Sequence, residues 1–386
     1  MRFSWLSNSP WWGSGYGVQT NLFVPKMKAD GHDPAIIAYC GLTGNTLNIN
    51  GIPVFPQGLH PYGQDIWVEH TRRFGTNIMF SLTDAWVIQP ETIPYGFKWI
   101  PYYPVDSNPM PPLVRERLQA SYRRIAMSKY GVQKTNEAGM DCYYVPHGID
   151  TKQYYPIDKE EARETLRKHG LQLPKDAYII GTVAMNKGAN PSRKSFVEMI
   201  SAFTLFKQKH TNAVYLLHTH TGEGIQDAVH FKDLCMQNGL ELNKDIFFTD
   251  PYFSFVGAGT DYMRALYSSM DVFMLVSMGE GFGIPIVEAQ ACGVPVIVGD
   301  WTSMSELCFS GHKVDVKDAT PFYTPQAAYM YLPKVEAIER KLNLEYRYPS
   351  SREKAAKGAL EYDADRVYSE FWKPVLADIE KSINEK

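Results

Sequence analysis

Along the chain, short apolar runs rich in β-branched and aromatic residues alternate with stretches of helical period. This rhythm predicts parallel sheets with crossover helices. Phe3–Leu6 opens as a strand, a Gly-rich turn follows, and an amphipathic stretch from Val18 to Ala29 stops at Gly31. Asn77–Leu82 and Lys98–Val105 read as further strands, and Leu113–Arg124 as a basic helix. Lys159–His169 is charged and helical, and Gly170–Lys175 reads as a linker. A second cycle then begins, with strands at Tyr178–Val183, Ala213–His218, Asp245–Thr249, Val272–Val276 and Pro295–Val298. The tail from Asp363 to Ile383 carries charges of alternating sign and predicts a surface helix or helix pair. No repeat of solenoid period is present.

Two successive α/β units fit a chain of 386 residues, since domains run to roughly 100–200 residues. The expected boundaries are 1–170 and 171–350, followed by a helical tail at 351–386 that crosses back to the first domain. A composition 44% hydrophobic and 21% charged excludes wholesale disorder. The net charge of −3 gives no overall attraction to nucleic acid or anionic membrane. The five cysteines, Cys40, Cys142, Cys235, Cys292 and Cys308, are odd in number and form no C-x-x-C pair. That argues against a zinc knuckle or disulfide scaffold and for a cytoplasmic protein. No apolar run is long enough to predict a transmembrane segment. Six of the eight tryptophans fall in the first hundred residues, among them Trp11 and Trp12 beside the first Gly-rich turn.

The chemistry concentrates between Asp271 and Glu306. A buried strand runs into a loop of Glu280, Gly281, Phe282 and Gly283, and Pro285 suits the first turn of the helix that follows. Glycines let a ligand approach main-chain N–H groups, and a helix N-terminus favours an anion. Glu280 in the loop and Glu288 one turn into the helix place a carboxylate on each side of such a phosphate site. Both would accept hydrogen bonds from sugar hydroxyls, which suits a sugar nucleotide.

Here the sequence resembles family 4 of the retaining glycosyltransferases, whose signature E-G-F-G-x-x-x-x-E is matched by Glu280 and Glu288. The flanking ACGVPVI and Glu306 extend the likeness. The resemblance implies a GT-B fold: two Rossmann-like, doubly wound α/β domains facing a central cleft, the N-terminal one binding acceptor and the C-terminal one nucleotide sugar. It also implies that Glu280 and the amides of Gly281, Phe282, Gly283 and Ile284 contact the donor sugar and phosphate, and that Glu288 binds the ribose. A second match, Gly181–Phe203, puts Lys194 where the family has its diphosphate-binding Lys. The family's Arg falls on Met185, so Asn186, Lys187 or Arg193 would supply that contact. Arg193 and Lys194 at a helix start oppose the helix dipole unless an anion binds there. A third match is the turn Gly13–Gly17, with Gly15 expected at the diphosphate and Tyr16, Trp11 and Trp12 toward the acceptor. The segment Val145–Asp150 is similar to the family's P-x-G-[VI]-D and brings His147 to the acceptor side. Asp106, after a buried strand, occupies the place of a sugar-contacting His.

The function implied is retaining transfer of a sugar from a nucleotide diphosphate sugar to an acceptor hydroxyl, with Glu280, Lys194, Arg193 and Asp106 as catalytic candidates. No metal and no cofactor is expected. The acceptor is left open among carbohydrate, lipid-linked sugar, protein, small molecule and a modified DNA base, and so is the oligomeric state. A sugar-nucleotide epimerase or hydrolase on the same fold, or a non-catalytic sugar-nucleotide-binding protein, are the alternatives. His218 and His220 are spaced as metal ligands could be, but without an acidic or Cys partner in the sequence. Asp363-Ala364-Asp365 imitates a metal-binding Asp-x-Asp and reads as a helix cap. Arg115, Arg117, Arg123, Arg124 and Lys129 read as a solvated face.

Overall fold

The computed structural model of the protein describes residues 1–188 and 191–385. It divides into two compact units. The first comprises Met1–Gly148, Thr324–Ala328 and Tyr362–Lys386; the second comprises Ile149–Tyr323 and Tyr329–Glu361. The packing boundary falls at Gly148, earlier than the residue 170 read from the linker-like composition. The reason is the helix Lys159–Lys168, which packs on the helix Thr260–Ser268 of the second unit.

The first unit is built on an eight-stranded sheet of order β3-β4-β2-β1-β5-β6-β7-β8. Its strands are β1 Arg2–Asn8, β2 Asp33–Cys40, β3 Leu47–Ile49, β4 Ile52–Phe55, β5 Ile78–Leu82, β6 Lys98–Tyr103, β7 Ile125–Ala126 and β8 Tyr143–Tyr144. All neighbours pair parallel except β3 with β4. The strands read as near-continuous apolar runs because helices cover both faces of a parallel sheet. Trp5, Trp67 and Trp99 lie in this core. The tail contributes Trp372, whose ring sits 5.6 Å from Trp5 and 5.0 Å from Tyr102. The basic stretch ends as a helix at Gln119 rather than Arg124. Arg123 and Arg124 lie in the turn before β7, where Arg124 donates to the carbonyl of Leu118 at 2.8 Å.

The second unit has a six-stranded parallel sheet of order β11-β10-β9-β12-β13-β14. Here β9 is Tyr178–Val183, β10 Ala213–His218, β11 Ile246–Phe248, β12 Val272–Leu275, β13 Val296–Gly299 and β14 Gly311–Val314. A small antiparallel pair, β15 (Ala319–Tyr323) and β16 (Tyr329–Pro333), follows. Both large sheets reverse their strand order at one point, between β1 and β5 in the first unit and between β9 and β12 in the second. In open α/β sheets, ligands bind beyond the carboxyl ends of the strands at such a switch point. Among the described residues, no helix is long and apolar enough to cross a membrane.

Candidate functional site

The loops leaving β9 and β12 meet at the switch point of the second unit. The first runs from Ala184 to Ser195, with Ala189 and Asn190 outside the described residues, and delivers Arg193 and Lys194 to the start of the helix Phe196–Lys207. The second carries Glu280, Gly281, Phe282 and Gly283 to the helix Ile284–Ala291. Lys194 Nζ lies 2.5 Å from Glu280 Oε1, and Arg193 Nη1 lies 3.5 Å from Oε2. Arg193 also donates to the carbonyl of Gly279 at 2.7 Å. Burial alone would raise the Glu280 carboxyl, but the two cations outweigh it and hold it at about 2. Glu280 is therefore a carboxylate at every physiological pH.

The loop is held from below. Ser303 Oγ donates to the carbonyls of Glu280 and Phe282, both at 2.7 Å, and Thr302 Oγ1 accepts the Glu280 amide at 3.2 Å. Trp301 Nε1 donates to the Ser277 carbonyl at 3.0 Å, and the Tyr331 amide of β16 to Met278 at 3.0 Å. Gly283 turns the chain into the helix with φ +107°, and a Cβ there would come within 2.9 Å of Ile286 Cδ1. Only glycine adopts that backbone without strain. Pro285 occupies the first turn, as its missing N–H allows.

Glu288 lies inside this helix, buried on its inner side. Tyr267 Oη donates to Glu288 Oε2 at 2.7 Å. Burial raises the carboxyl to about 7, a shift that the hydroxyls of Tyr267 and Tyr154 hold in check. Neither tyrosine stands out in the sequence. Tyr154 lies more than a hundred residues before the helix, and only the fold brings it there.

Of the three residues open to replace the family's Arg, Asn186 is committed elsewhere. Its amide donates to the carbonyls of His220 and Val229, and its oxygen accepts the Val229 amide. Lys187 and Met185 are exposed, and Arg193 alone of the candidates reaches the Glu280 loop. At the end of β10, His218 Nδ1 is 2.9 Å from Thr249 Oγ1, and burial depresses the ring to about 4. His220 Nδ1 accepts the Gly222 amide at 2.9 Å. Asp363 caps the helix Ala364–Val367 by accepting the amides of Asp365 and Arg366, and Asp365 pairs with Lys26. Among the described residues, no group of three or more His, Cys, Asp or Glu is placed to hold a metal ion.

Residues 181–324 match the family described as Glycosyl transferases group 1. They form a group 1 glycosyltransferase domain. This domain holds the Arg193, Lys194, Glu280 and Glu288 constellation, the end of β9 and the whole of β10 to β14. The chain is 27% identical over 159 residues to the D-inositol 3-phosphate glycosyltransferase of Salinispora tropica, which covers 40% of this chain and 30% of that protein. It is 30% identical over 168 residues to the lipopolysaccharide core biosynthesis mannosyltransferase LpsB of Rhizobium meliloti, covering 43% of this chain and 42% of that one. These curated relatives are thus matched over less than half of their own length. Among solved structures, Anabaena HepE in complex with UDP and glucose matches with a TM-score of 0.65 at 17% identity, over 99% of this chain and 100% of that one. The fold is GT-B, with the group 1 domain as the second of its two Rossmann-like units.

The remaining candidates lie on the first unit, at the carboxyl ends of its strands. Trp11, Trp12, Gly15 and Tyr16 follow β1, and Asp106 follows β6. Ser14 caps the helix Gly15–Ala29 by accepting the Gly17 amide at 3.1 Å. A Cβ on Gly17 would strike the Trp12 carbonyl at 2.3 Å, so this turn closes only with glycine. His147, expected on the acceptor side, is buried, with its ring edge-on to that of Tyr16 at 6.5 Å. Its Nδ1 is 2.7 Å from Tyr102 Oη, and burial drives the ring down to about 3.

Proposed function

We propose that the protein is a retaining glycosyltransferase that moves a sugar from a nucleotide diphosphate sugar to an acceptor hydroxyl. The observation that carries the reading is the meeting of Arg193, Lys194 and Glu280 at the β9/β12 switch point, beside the N-terminus of the helix Ile284–Ala291. Two cations and a helix N-terminus suit a diphosphate, and the carboxylates of Glu280 and Glu288 suit the hydroxyls on either side of it. HepE, which has the same fold, is in complex with UDP and glucose, the two parts of such a donor.

In the reaction the bond between C1 and the β-phosphate oxygen breaks, and its electron pair stays with the phosphate. Lys194 and Arg193 stabilise that developing charge with the amides following Glu280. The acceptor oxygen forms its bond to C1 on the face the phosphate is leaving, and its proton passes to the departing phosphate oxygen. No side chain is needed as a strong base. In the free protein Glu280 pairs with both cations. A bound diphosphate takes over that pairing and turns Glu280 toward the sugar. On this reading the reaction uses no metal and takes place in the cytoplasm.

A panel of UDP-, GDP- and ADP-sugars tests the donor assignment. A true donor raises the melting temperature by mass action, and Lys194→Ala removes that rise. Product NMR tests retention. No stabilisation by any member of the panel sinks the reading.

A further inference from the structure

Strained backbone gathers where the β9 and β12 loops meet. Among the described residues, six that are not glycine have φ between +51° and +61°: Asn50, Ser195, Asp227, Asn243, Thr302 and Ala327. Asparagine and aspartate tolerate this left-handed region best, and a β-branched residue tolerates it worst. Thr302 is the β-branched member of the set. Four of the six lie exposed in loops. Ser195 and Thr302 are buried, at 0% and 4% exposure. Ser195 follows Lys194 directly, and Thr302 accepts the Glu280 amide. Such strain persists only where the surroundings enforce it, and it clusters at functional sites.

Thr302 begins the short helix Thr302–Leu307 that follows β13. Trp301 before it is extended, with φ −149° and ψ 160°, and its indole is anchored on the Ser277 carbonyl. In an extended chain, consecutive side chains point to opposite sides. The left-handed turn at Thr302 instead brings two consecutive hydroxyls to one loop. Thr302 Oγ1 accepts the Glu280 amide at 3.2 Å, and Ser303 Oγ lies 2.7 Å from the carbonyl oxygens of both Glu280 and Phe282. At its far end the short helix offers the Leu307 carbonyl to Gln290 Nε2 at 2.6 Å, in the helix that carries Glu288.

These bonds decide where the N–H groups of the loop point. In a planar trans peptide, C=O and N–H are antiparallel. The Glu280 amide faces Thr302, so the Gly279 carbonyl faces the other way, where it accepts Arg193 Nη1 at 2.7 Å. The carbonyls of Glu280 and Phe282 face Ser303. The N–H groups of Gly281 and Gly283 therefore face away from it, toward the side on which Arg193 lies. Two N–H groups turned to the same side as a cation suit a phosphate.

We propose that Thr302 is a positioning residue for the diphosphate of the donor. It acts through the loop Glu280–Gly283, which its strained turn and the Ser303 hydroxyl hold in the phosphate-binding arrangement before a donor arrives. This rests on the glycosyltransferase reading above. A loop whose amides are fixed in advance loses little freedom on binding, and more of the interaction appears as affinity. The strain at Thr302 is the folding cost of that preset arrangement.

The test separates the diphosphate from the rest of the nucleotide. Kd values for UDP and GDP, and for UMP and GMP, are measured by calorimetry on the full chain, below the melting transition of each variant. The ratio of monophosphate Kd to diphosphate Kd reads the grip on the β-phosphate. Thr302→Val keeps shape and branching but loses the acceptor, and Ser303→Ala loses the other hydroxyl. Both should lower the ratio about tenfold, and Thr302→Ser should restore it. Thr302→Gly adopts the left-handed backbone without strain and lacks the hydroxyl. It should lower the ratio by the same factor, even where the valine variant does not fold. A wild-type ratio in Thr302→Gly and Ser303→Ala overturns the proposal, as does a Thr302→Ser protein that behaves like Thr302→Gly. A wild-type chain that binds none of the four nucleotides overturns the transferase reading and this one with it. Unchanged ratios in a chain that does bind them overturn this one alone.

Discussion

Donor binding should depend on pH through Glu288. As a carboxylate it accepts strong, charge-assisted hydrogen bonds from ribose hydroxyls; as a neutral acid it does so far more weakly. With its carboxyl near 7, Glu288 is about nine-tenths ionised at pH 8 and about one-tenth at pH 6. The donor KM, or the Kd for the nucleoside diphosphate, should therefore rise about tenfold between those pH values, with kcat much less affected. The groups facing this carboxyl are Tyr267, Tyr154 and the Cys292 thiol that caps its helix. Within this set the two tyrosines donate to Glu288 directly. Tyr267→Phe removes one donor, worth about 1.5–3 kcal/mol to a charged acceptor, and so moves the midpoint upward by about one to two pH units. Calorimetry in buffers of different ionisation enthalpy should show about half a proton released per nucleotide bound at pH 7. A Kd that is flat from pH 6 to pH 8, with no proton release, refutes the argument.

The same shift has a consequence for stability. A carboxyl raised on folding favours the protonated native state, so stability falls as pH rises from about 4.5 to about 7, by about 3 kcal/mol in all. Glu288→Gln should remove that slope in melting curves while weakening donor binding at pH 8 by about tenfold or more. Lys194→Ala leaves Glu280 buried beside Arg193 alone; it should lower the melting temperature, at a cost of about 3–5 kcal/mol for a broken buried pair, and reduce kcat by about 10²–10³. Gly283→Ala forces a Cβ into a backbone with φ +107° and against Ile286, and should weaken donor binding by distorting the helix start, as a nucleotide titration would show. Asp363→Ala loses a helix cap worth about 1 kcal/mol and should leave transfer unchanged with or without a chelator.

The parts of this structure that were legible in the sequence are local. Tyr178–Val183 and Ala213–His218 form strands with those bounds because their apolar runs are punctuated by turn residues on both sides. The Glu280–Glu288 segment was legible for the same reason, since strand, loop and helix follow one another within twenty residues. What escaped depends on packing at a distance. The antiparallel pair β15 and β16 and the short β7 and β8 carry no strong periodicity, and they exist through their pairing partners. Arg123 and Arg124 continue a helical charge pattern, yet the chain must turn there to enter β7. The motif around His147 gave no sign that its ring would be buried against Tyr102 of β6. Asn186 likewise looked available for a phosphate and proves to staple its own loop to Val229.

The two glutamates show why residue type and spacing alone stop short of chemistry. Glu280 and Glu288 lie on one continuous segment, and both are almost wholly removed from water. Burial pushes each toward the neutral acid. Around Glu280 the β9 loop supplies two cations, which reverse the push and leave a permanent carboxylate at about 2. Around Glu288 the second unit supplies two phenols, which only moderate it and leave a group that titrates near 7. The first glutamate must stay charged when the cations it holds are handed to a diphosphate, and its low starting point ensures that. The second need be charged only when ribose hydroxyls are present to bond it. Their arrival favours the carboxylate, so proton release accompanies donor binding. The difference arises from Lys194, Arg193, Tyr154 and Tyr267, each brought to the segment by the fold from elsewhere in the chain.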